Sequence, residues 1–183
     1  YLTPEHTQYQ MWKQRLNLLP NPVNIGISWR GGKSPKQQQQ RSISLTEWMP
    51  ILSCPNINFI NLQYGECDTE LTALSEQHNI TVYDWDDADP LHNLDSQAAQ
   101  IAALDLVISV DNSTVHMAGA VGTPTWVMLS STANWRWLEN SNTTFWYPSL
   151  KLFRQNHTHN KAEVINEISQ QLMPFIKNLQ NKD

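Results

Sequence analysis

Residues 104–124 read LDLVISVDNSTVHMAGAVGTP, and this stretch decides the fold. Residues 106–110 are apolar and rich in β-branched side chains, which predicts a short, buried strand of a parallel sheet. Small and polar residues follow at 111–114, and residues 115–121 predict a helix that ends at residues 122–124. The N-terminus of such a helix presents unpaired N–H groups and partial positive charge, so the pattern predicts an anion site, most simply for phosphate.

A second interpretation of the same turn is purely structural. Most strand-to-helix turns with an Asn or Ser cap bind no ligand, because the cap only satisfies the first N–H groups of the helix. His116 alone is likewise more often a packed side chain than a functional one. The local pattern by itself favours this structural interpretation, so the rest of the sequence has to decide.

The size and composition of the chain limit its classes of function. Its 183 residues predict one domain with a core of its own. A net charge of −5 argues against a nucleic-acid partner. The lack of a long apolar run and of a signal peptide predicts a cytoplasmic protein with no membrane span. The abrupt start at Tyr1 predicts a fragment of a longer protein.

Alternating strands and helices predict an α/β fold with a doubly wound, Rossmann-like parallel sheet. The strands are predicted at residues 23–29, 58–63, 80–83, 106–110, 125–129 and 150–154. We expect residues 1–22 to form a helix and linker, residues 23–160 the Rossmann-like domain, and residues 161–183 a C-terminal helix. In the common strand order 3-2-1-4-5-6, the first and fourth strands are neighbours.

The loops that leave the first and fourth strands should face each other, because the sheet order reverses between these strands. The first loop, residues 30–41, carries cations and glycines, and the second, residues 111–114, opens the helix described above. Together they predict a diphosphate pocket. The predicted ligand contacts are Trp29, Arg30, Gly31, Lys33 and Arg41 at the first loop, and Asp111, Asn112, Ser113 and Thr114 at the second.

Other types of site fit the sequence less well. Gly32-Lys33-Ser34 resembles part of a P-loop, but Ile27 occupies the position of its first glycine. Pro35 and four glutamines follow, which predicts a mobile polar loop where a P-loop needs a helix. The acidic loop at residues 84–89 lacks the glycine and distal glutamate of an EF-hand, so no metal site is predicted. Nor does the sequence contain a nucleophile elbow.

An aromatic-rich stretch follows the fifth strand. It includes Trp126, Trp135-Arg136-Trp137 and Trp146-Tyr147-Pro148. These side chains could pack beneath a loop, or they could form a wall for a sugar or base with Arg136 as an anion contact. The sequence favours the two interpretations about equally.

Several segments resemble a known family when they are taken together and in order. They are Ile25-Gly26-Ile27-Ser28-Trp29, Arg41-Ser42-Ile43, Leu62-Gln63, residues 104–111, His116-Met117-Ala118-Gly119-Ala120, Trp135-Arg136-Trp137 and residues 146–155. The set resembles the C-terminal, donor-binding half of bacterial glycosyltransferases linked to tetratricopeptide (TPR) repeats, which are distantly similar to heptosyltransferases. The resemblance covers nearly the whole chain.

The resemblance implies a GT-B architecture, in which two Rossmann-like halves enclose a cleft and the C-terminal half holds the donor. It implies a nucleotide-diphosphate sugar as substrate, no metal or other cofactor, and an N-terminal acceptor domain with TPR repeats outside this sequence. In such families the residues that match Asp111, Ser113 and His116 lie over the diphosphate. The residue that matches Gln63 meets the nucleoside.

The expected function is therefore donor binding in a glycosyltransferase that transfers a sugar to an acceptor hydroxyl. We expect His116, Arg41 and Lys33 to assist the departure of the diphosphate, with Arg136 as a further contact. The general base should come from the acceptor domain, so this chain alone should turn over little or no substrate.

Two alternatives stay open at this point. A nucleotide-sugar epimerase of the same architecture would carry a catalytic carboxylate pair in the cleft. A degenerate interaction module would show a collapsed pocket, and departures from the family pattern, such as Asn112 in place of the usual threonine, favour it. A dinucleotide-binding oxidoreductase is disfavoured, because no Gly-x-Gly-x-x-Gly follows the first strand.

Overall fold

A computed structural model describes residues 1–88, 93–132, 134–139, 141–155 and 160–181, and a parallel sheet of six strands forms its centre. The strands are β1 (Val23–Ser28), β2 (Ile57–Asn61), β3 (Val82–Tyr83), β4 (Leu106–Val110), β5 (Thr125–Leu129) and β6 (Leu150–Arg154). Their order is β3-β2-β1-β4-β5-β6, and every neighbouring pair is parallel. The predicted fold class and strand order are both confirmed.

Helices cover both faces of this sheet. They are α1 (His6–Asn17), α2 (Pro35–Arg41), α3 (Met49–Leu52), α4 (Asp68–His78), α5 (Leu94–Ala103), α6 (Ser113–Val121) and α7 (Lys161–Gln180), with short 3₁₀ turns at Asp86–Ala88 and Trp135–Trp137. Residues of α3, α4 and α7 pack in one apolar cluster with β1, and residues of α1, α5 and α6 pack in another. Because helices cover both faces of the sheet, side chains on both faces of the central strands are buried, which explains their nearly continuous apolar sequences.

The two central strands end side by side. Every residue of β1 and of β4 is buried. In their register Ile27 lies opposite Ile108, and Ser28 lies opposite Ser109. The chain segments that leave these strands therefore emerge at the same edge of the sheet, where parallel sheets with this order bind their ligands.

The predicted mobile loop at residues 37–40 is wrong, because these glutamines belong to α2. Ser34 caps this helix by accepting a hydrogen bond from the Gln37 N–H at 3.3 Å, and Pro35 occupies its first turn. Proline there is preorganised for a helix, and glutamine has a good helix propensity, so the segment folds although it buries none of its side chains. A helix thus does follow Ser34, and the case against a P-loop rests on Ile27 inside β1.

Smaller shifts concern the ends of elements. Thr3 ahead of Pro4 has the sequence pattern of an N-cap, but the first helix is capped by Glu5, whose carboxylate accepts from the N–H groups of Thr7 at 2.9 Å and Gln8 at 2.8 Å. Residues 45–52 have the sequence pattern of a short helix, but only Met49–Leu52 is α-helical. Among the described residues, no helix combines the length and the apolar character that crossing a bilayer requires.

Candidate functional site

A cavity of about 370 Å³ lies where β1 and β4 end. It is lined by Gly32, Lys33, Gln37, Arg41, Tyr64, Asp111, Asn112, Ser113, His116 and Arg136. We call it the central cavity. Seven of the residues predicted from the sequence are on this list: Lys33, Arg41, Asp111, Asn112, Ser113, His116 and Arg136. The structure thus brings the cationic loop and the N-terminus of α6 to one site, as their positions in the sheet order predict.

The start of α6 is well defined. The Asn112 side chain is the N-cap, and its Oδ1 accepts from the Thr114 N–H at 3.0 Å. Ser113 is the first residue of the helix and is exposed at the cavity. The positive end of the helix dipole therefore faces the central cavity, where it favours a negatively charged group.

A buried hydrogen-bond chain joins the ends of three neighbouring strands. The Ser28 hydroxyl donates to Gln63 Oε1 at 3.1 Å and accepts from Asn112 Nδ2 at 2.7 Å. Ser28 is fully buried, and the other two side chains are less than one-tenth exposed. Because these polar groups are buried, their mutual hydrogen bonds fix the positions of the chain segments that leave β1, β2 and β4.

The same amides also hold the backbone that begins the cationic loop. Gln63 Oε1 accepts from the backbone N–H groups of Trp29 at 3.0 Å and Arg30 at 2.8 Å. Asn112 Nδ2 donates to the Arg30 carbonyl at 2.9 Å.

Ser28 is not among the residues predicted from the sequence to form the site. Its signal in the sequence is a hydroxyl at the end of an otherwise apolar strand.

The cationic loop approaches α6 closely because Gly31 has no side chain. A Cβ atom at this position would lie 2.8 Å from the Asp111 carbonyl oxygen. This contact is too short for any other residue without movement of the backbone. Beyond it, Arg41 Nη1 lies 3.4 Å from Asp111 Oδ2, which places a guanidinium at the wall of the cavity.

Five predicted contact residues do not line the central cavity. The Trp29 ring is fully buried, and its Nε1 donates to Glu70 Oε1 at 3.0 Å. Arg30 forms an ion pair with Glu70 at 3.0 Å. Thr114, Gln63 and Gly31 are buried. Their roles in ligand binding stay predictions.

His116 stands at the end of the cavity that faces the aromatic stretch. Its Nδ1 lies 3.2 Å from the Tyr147 hydroxyl, and its ring stacks on Trp137 with 5.3 Å between the ring centres. Burial lowers the pKa of His116, Arg136 lowers it further, and Asp111 opposes the shift. Because the ordinary value is already below 7, the imidazole is neutral at neutral pH.

Three further cavities adjoin the central one. One of about 360 Å³ lies along α6 and shares Tyr64, Ser113 and His116 with it. A cavity of about 420 Å³ lies over the ends of β2 and β3, shares Tyr64 with the central cavity and includes Gln63, Trp85 and Gln100. On the other side, a cavity of about 230 Å³ is lined by His116, Trp135, Arg136, Trp137, Trp146 and Tyr147, and we call it the aromatic cavity. It shares His116 and Arg136 with the central cavity. No motif marked Tyr64 in the sequence.

One group of residues has the composition of a metal site. Ligand atoms of Cys67, Asp68 and Asp84 lie within 4.8 Å of one another. Burial raises the pKa of the Cys67 thiol, and its sulfur accepts from Asn61 Nδ2 at 3.3 Å. Asp68 and Asp84 are exposed, and exposed acidic groups commonly lie this close together without a bound ion.

Comparison with known proteins places this geometry in context. No protein-family model matches the sequence. Protein FlbA of Caulobacter vibrioides is 33% identical to it over 153 residues, which cover 84% of this chain and 25% of FlbA. The chain therefore spans about a quarter of the length of this curated relative.

Several solved structures are similar to this chain in fold. Escherichia coli ADP-heptose lps heptosyltransferase II matches 100% of the chain with a TM-score of 0.62 and 15% identity, over 54% of its own length. A family 9 glycosyl transferase from Veillonella parvula matches 100% of the chain with a TM-score of 0.61 and 14% identity, also over 54% of its length. E. coli heptosyltransferase WaaC with ADP matches 91% of the chain with a TM-score of 0.59 and 14% identity, over 48% of its length.

The chain thus has a heptosyltransferase-like fold, of the α/β Rossmann-like kind found in GT-B glycosyltransferases. It spans about half of each of these solved structures.

Proposed function

We propose that this chain binds the donor of a glycosyl transfer, a nucleotide-diphosphate sugar, with the diphosphate in the central cavity. The observation that carries the proposal is the convergence of Lys33, Arg41, Arg136 and the N-terminus of α6 on that cavity. The chain as a whole carries a net charge of −5. In contrast, the described residues that line this cavity include three cations and one carboxylate. This local excess of positive charge is what a diphosphate requires.

The same groups can stabilise the leaving group of the reaction. In a glycosyl transfer, an acceptor hydroxyl attacks the anomeric carbon, the bond from that carbon to the phosphate oxygen breaks, and the nucleoside diphosphate leaves with the bonding electrons. Negative charge then grows on the phosphate oxygen. In this proposal the start of α6, Lys33 and Arg41, which line the central cavity, stabilise this charge in the transition state.

His116 would act in this reaction as a neutral hydrogen-bond donor. Its lowered pKa keeps the ring uncharged at neutral pH. If the Tyr147 hydroxyl donates to Nδ1, the ring proton resides on Nε2 and is available to a phosphate oxygen. Tyr147 is in this respect a positioning residue.

Two observations favour donor binding over the alternatives. A degenerate module predicts a collapsed pocket, whereas the central cavity has about 370 Å³ of open space. An epimerase predicts a carboxylate pair, whereas Asp111 is the single carboxylate among the described lining residues and is paired with Arg41. The acceptor domain and TPR repeats belong to this proposal as partners outside the sequence.

Titration calorimetry tests the proposal directly. ADP, which is bound in the solved WaaC structure, should be compared with UDP and GDP. We expect at least one of them to bind the wild-type protein and Ser113→Trp to lose that binding at least tenfold, because the indole would fill the mouth of the central cavity.

The matched control is Ser75→Trp, at an exposed serine of α4 outside the central cavity. It should leave the affinity unchanged. Negligible heats for all three nucleotides with the wild-type protein, or equal losses in the two tryptophan variants, would exclude this site.

A further inference from the structure

The aromatic cavity exposes an unusual amount of large aromatic surface. Trp135 is 70% exposed and Trp146 is 48% exposed, and their rings meet edge to face with 5.9 Å between centres. Trp137 and Tyr147 lie deeper, on either side of His116. Large aromatic side chains left open at the mouth of a cavity commonly mark a binding surface.

Apart from the cavity along α6, the adjoining cavities follow the order of the strands. The 420 Å³ cavity lies over β2 and β3, the central cavity over β1 and β4, and the aromatic cavity beyond β5. Tyr64 joins the first two, and His116 with Arg136 joins the last two. The ligand proposed above also has three parts in a row: a nucleoside, a diphosphate and a sugar.

We infer that the aromatic cavity is the subsite for the sugar ring of the donor. This inference rests on the proposed function, which places the diphosphate in the central cavity. With the diphosphate there, a group attached to its distal phosphate can extend past His116 and Arg136 into the aromatic cavity. The volume of about 230 Å³ accommodates one monosaccharide ring.

The chemistry of the lining suits a sugar. The C–H face of a pyranose packs on the face of an indole, while its hydroxyls need hydrogen-bond partners at the edge of the ring. Trp135 and Trp146 supply indole faces, and Arg136 supplies donors. Trp137 Nε1 is buried and has no acceptor within the described part of the chain.

The wall of the cavity is also held in a fixed and strained shape. Leu138, which follows the Trp135–Trp137 turn, has a φ of 57°, a conformation that side chains such as leucine rarely adopt. Arg154 Nη2 holds this turn by donating to the carbonyls of Trp137 at 3.0 Å and Leu138 at 2.6 Å. Strain that the surrounding structure maintains is frequent at ligand sites, where it preorganises the binding groups.

Matched pairs of ligands test the assignment. ADP, UDP and GDP are titrated alone and as their conjugates with glucose, mannose and N-acetylglucosamine, and the gain in affinity from the sugar is measured for each pair. In the wild-type protein at least one sugar should add affinity. Trp146→Ala and Trp135→Ala should each remove roughly threefold to tenfold of that gain and leave the affinity for the bare diphosphate unchanged.

Phe145→Ala is the matched control, because Phe145 is 88% exposed beside Trp146 but does not line the cavity. It should preserve the sugar gain. If no sugar adds affinity, or if the gain persists in both tryptophan variants, the sugar assignment is overturned and the diphosphate site stands. If the tryptophan variants weaken the bare diphosphates equally, the nucleoside occupies the aromatic cavity and the assignment is again overturned. If no diphosphate binds the wild type, the proposed function fails first.

Discussion

The central cavity and the aromatic cavity are lined in different ways, and we call the first lining the fixed wall and the second the aromatic wall. On the β1 side, Ser28, Gln63 and Asn112 form a closed set of buried hydrogen bonds that leaves the loop little freedom. On the β5 side, Trp135 and Trp146 stand open to solvent. The fixed wall satisfies its polar groups inside the chain. The aromatic wall is also held in place, by Arg154, but it presents apolar surface that the described chain does not cover. This difference suits the proposed function, in which the fixed wall holds the phosphates and the aromatic wall is open to the group they carry.

The largest expected effect tests the fixed wall. Ser28→Ala removes the hydroxyl that joins Gln63 and Asn112. Gln63 Oε1 keeps the N–H groups of Trp29 and Arg30, but one buried N–H of the Asn112 amide is left without an acceptor. We expect the free energy of unfolding to fall by about 2–3 kcal/mol, measured by urea denaturation. Ser75→Ala, at an exposed serine of α4, should change it by less than about 0.5 kcal/mol. A Ser28→Ala protein as stable as wild type would show that the hydrogen-bond chain is not structural.

A smaller effect is expected from the charge of the central cavity. Arg41→Gln removes one of its three cations, so binding of the responsive nucleoside diphosphate should weaken by roughly tenfold, about 1.4 kcal/mol. Lys36→Gln removes a cation from the same helix at an exposed position outside the cavity. Equal weakening in the two variants would point to general electrostatic attraction and away from a contact by Arg41.

The smallest effect concerns the border between the two walls. Because the folded state lowers the pKa of His116, the unfolded chain binds its proton more readily. His116 should therefore cost stability as the pH falls below its ordinary value of about 6.5, and that cost should be absent above it. The drop in unfolding free energy between pH 7.5 and pH 5.5 should be larger for wild type than for His116→Gln. Equal drops would mean that His116 is not shielded from water.

The same comparison explains what the sequence could and could not predict. Runs such as residues 106–110 identify buried strands, and the Asn112 cap identifies the start of a helix, because both signals are local. The strand order then placed Lys33 and Arg41 opposite Ser113. The partners of a buried amide are not local, so nothing in the sequence tied Gln63 to Ser28. Because residues 37–40 lack apolar periodicity, the sequence pattern does not predict the helix that begins after Ser34 with Pro35.

The aromatic stretch shows a second limit. For Trp135–Trp137 the sequence favours loop packing and a ligand wall equally. In the structure the two tryptophans of this turn differ in burial. Trp137 is fully buried in a cluster with Val115 and Val127, whereas Trp135 is exposed. Alternating burial within a short irregular turn depends on the tertiary path of the chain, here held by Arg154. No periodic pattern encodes it.

Amide NMR spectra recorded during addition of ADP, UDP and GDP test the diphosphate site most directly. We expect at least one nucleotide to shift the backbone resonances of Ser113, Gly32 and Lys33 more than any others, with saturation at a single affinity. These N–H groups belong to the helix start and the cationic loop that line the central cavity. If all three nucleotides leave those resonances in place, or shift only residues remote from the ends of β1 and β4, the positive end of α6 does not bind a diphosphate.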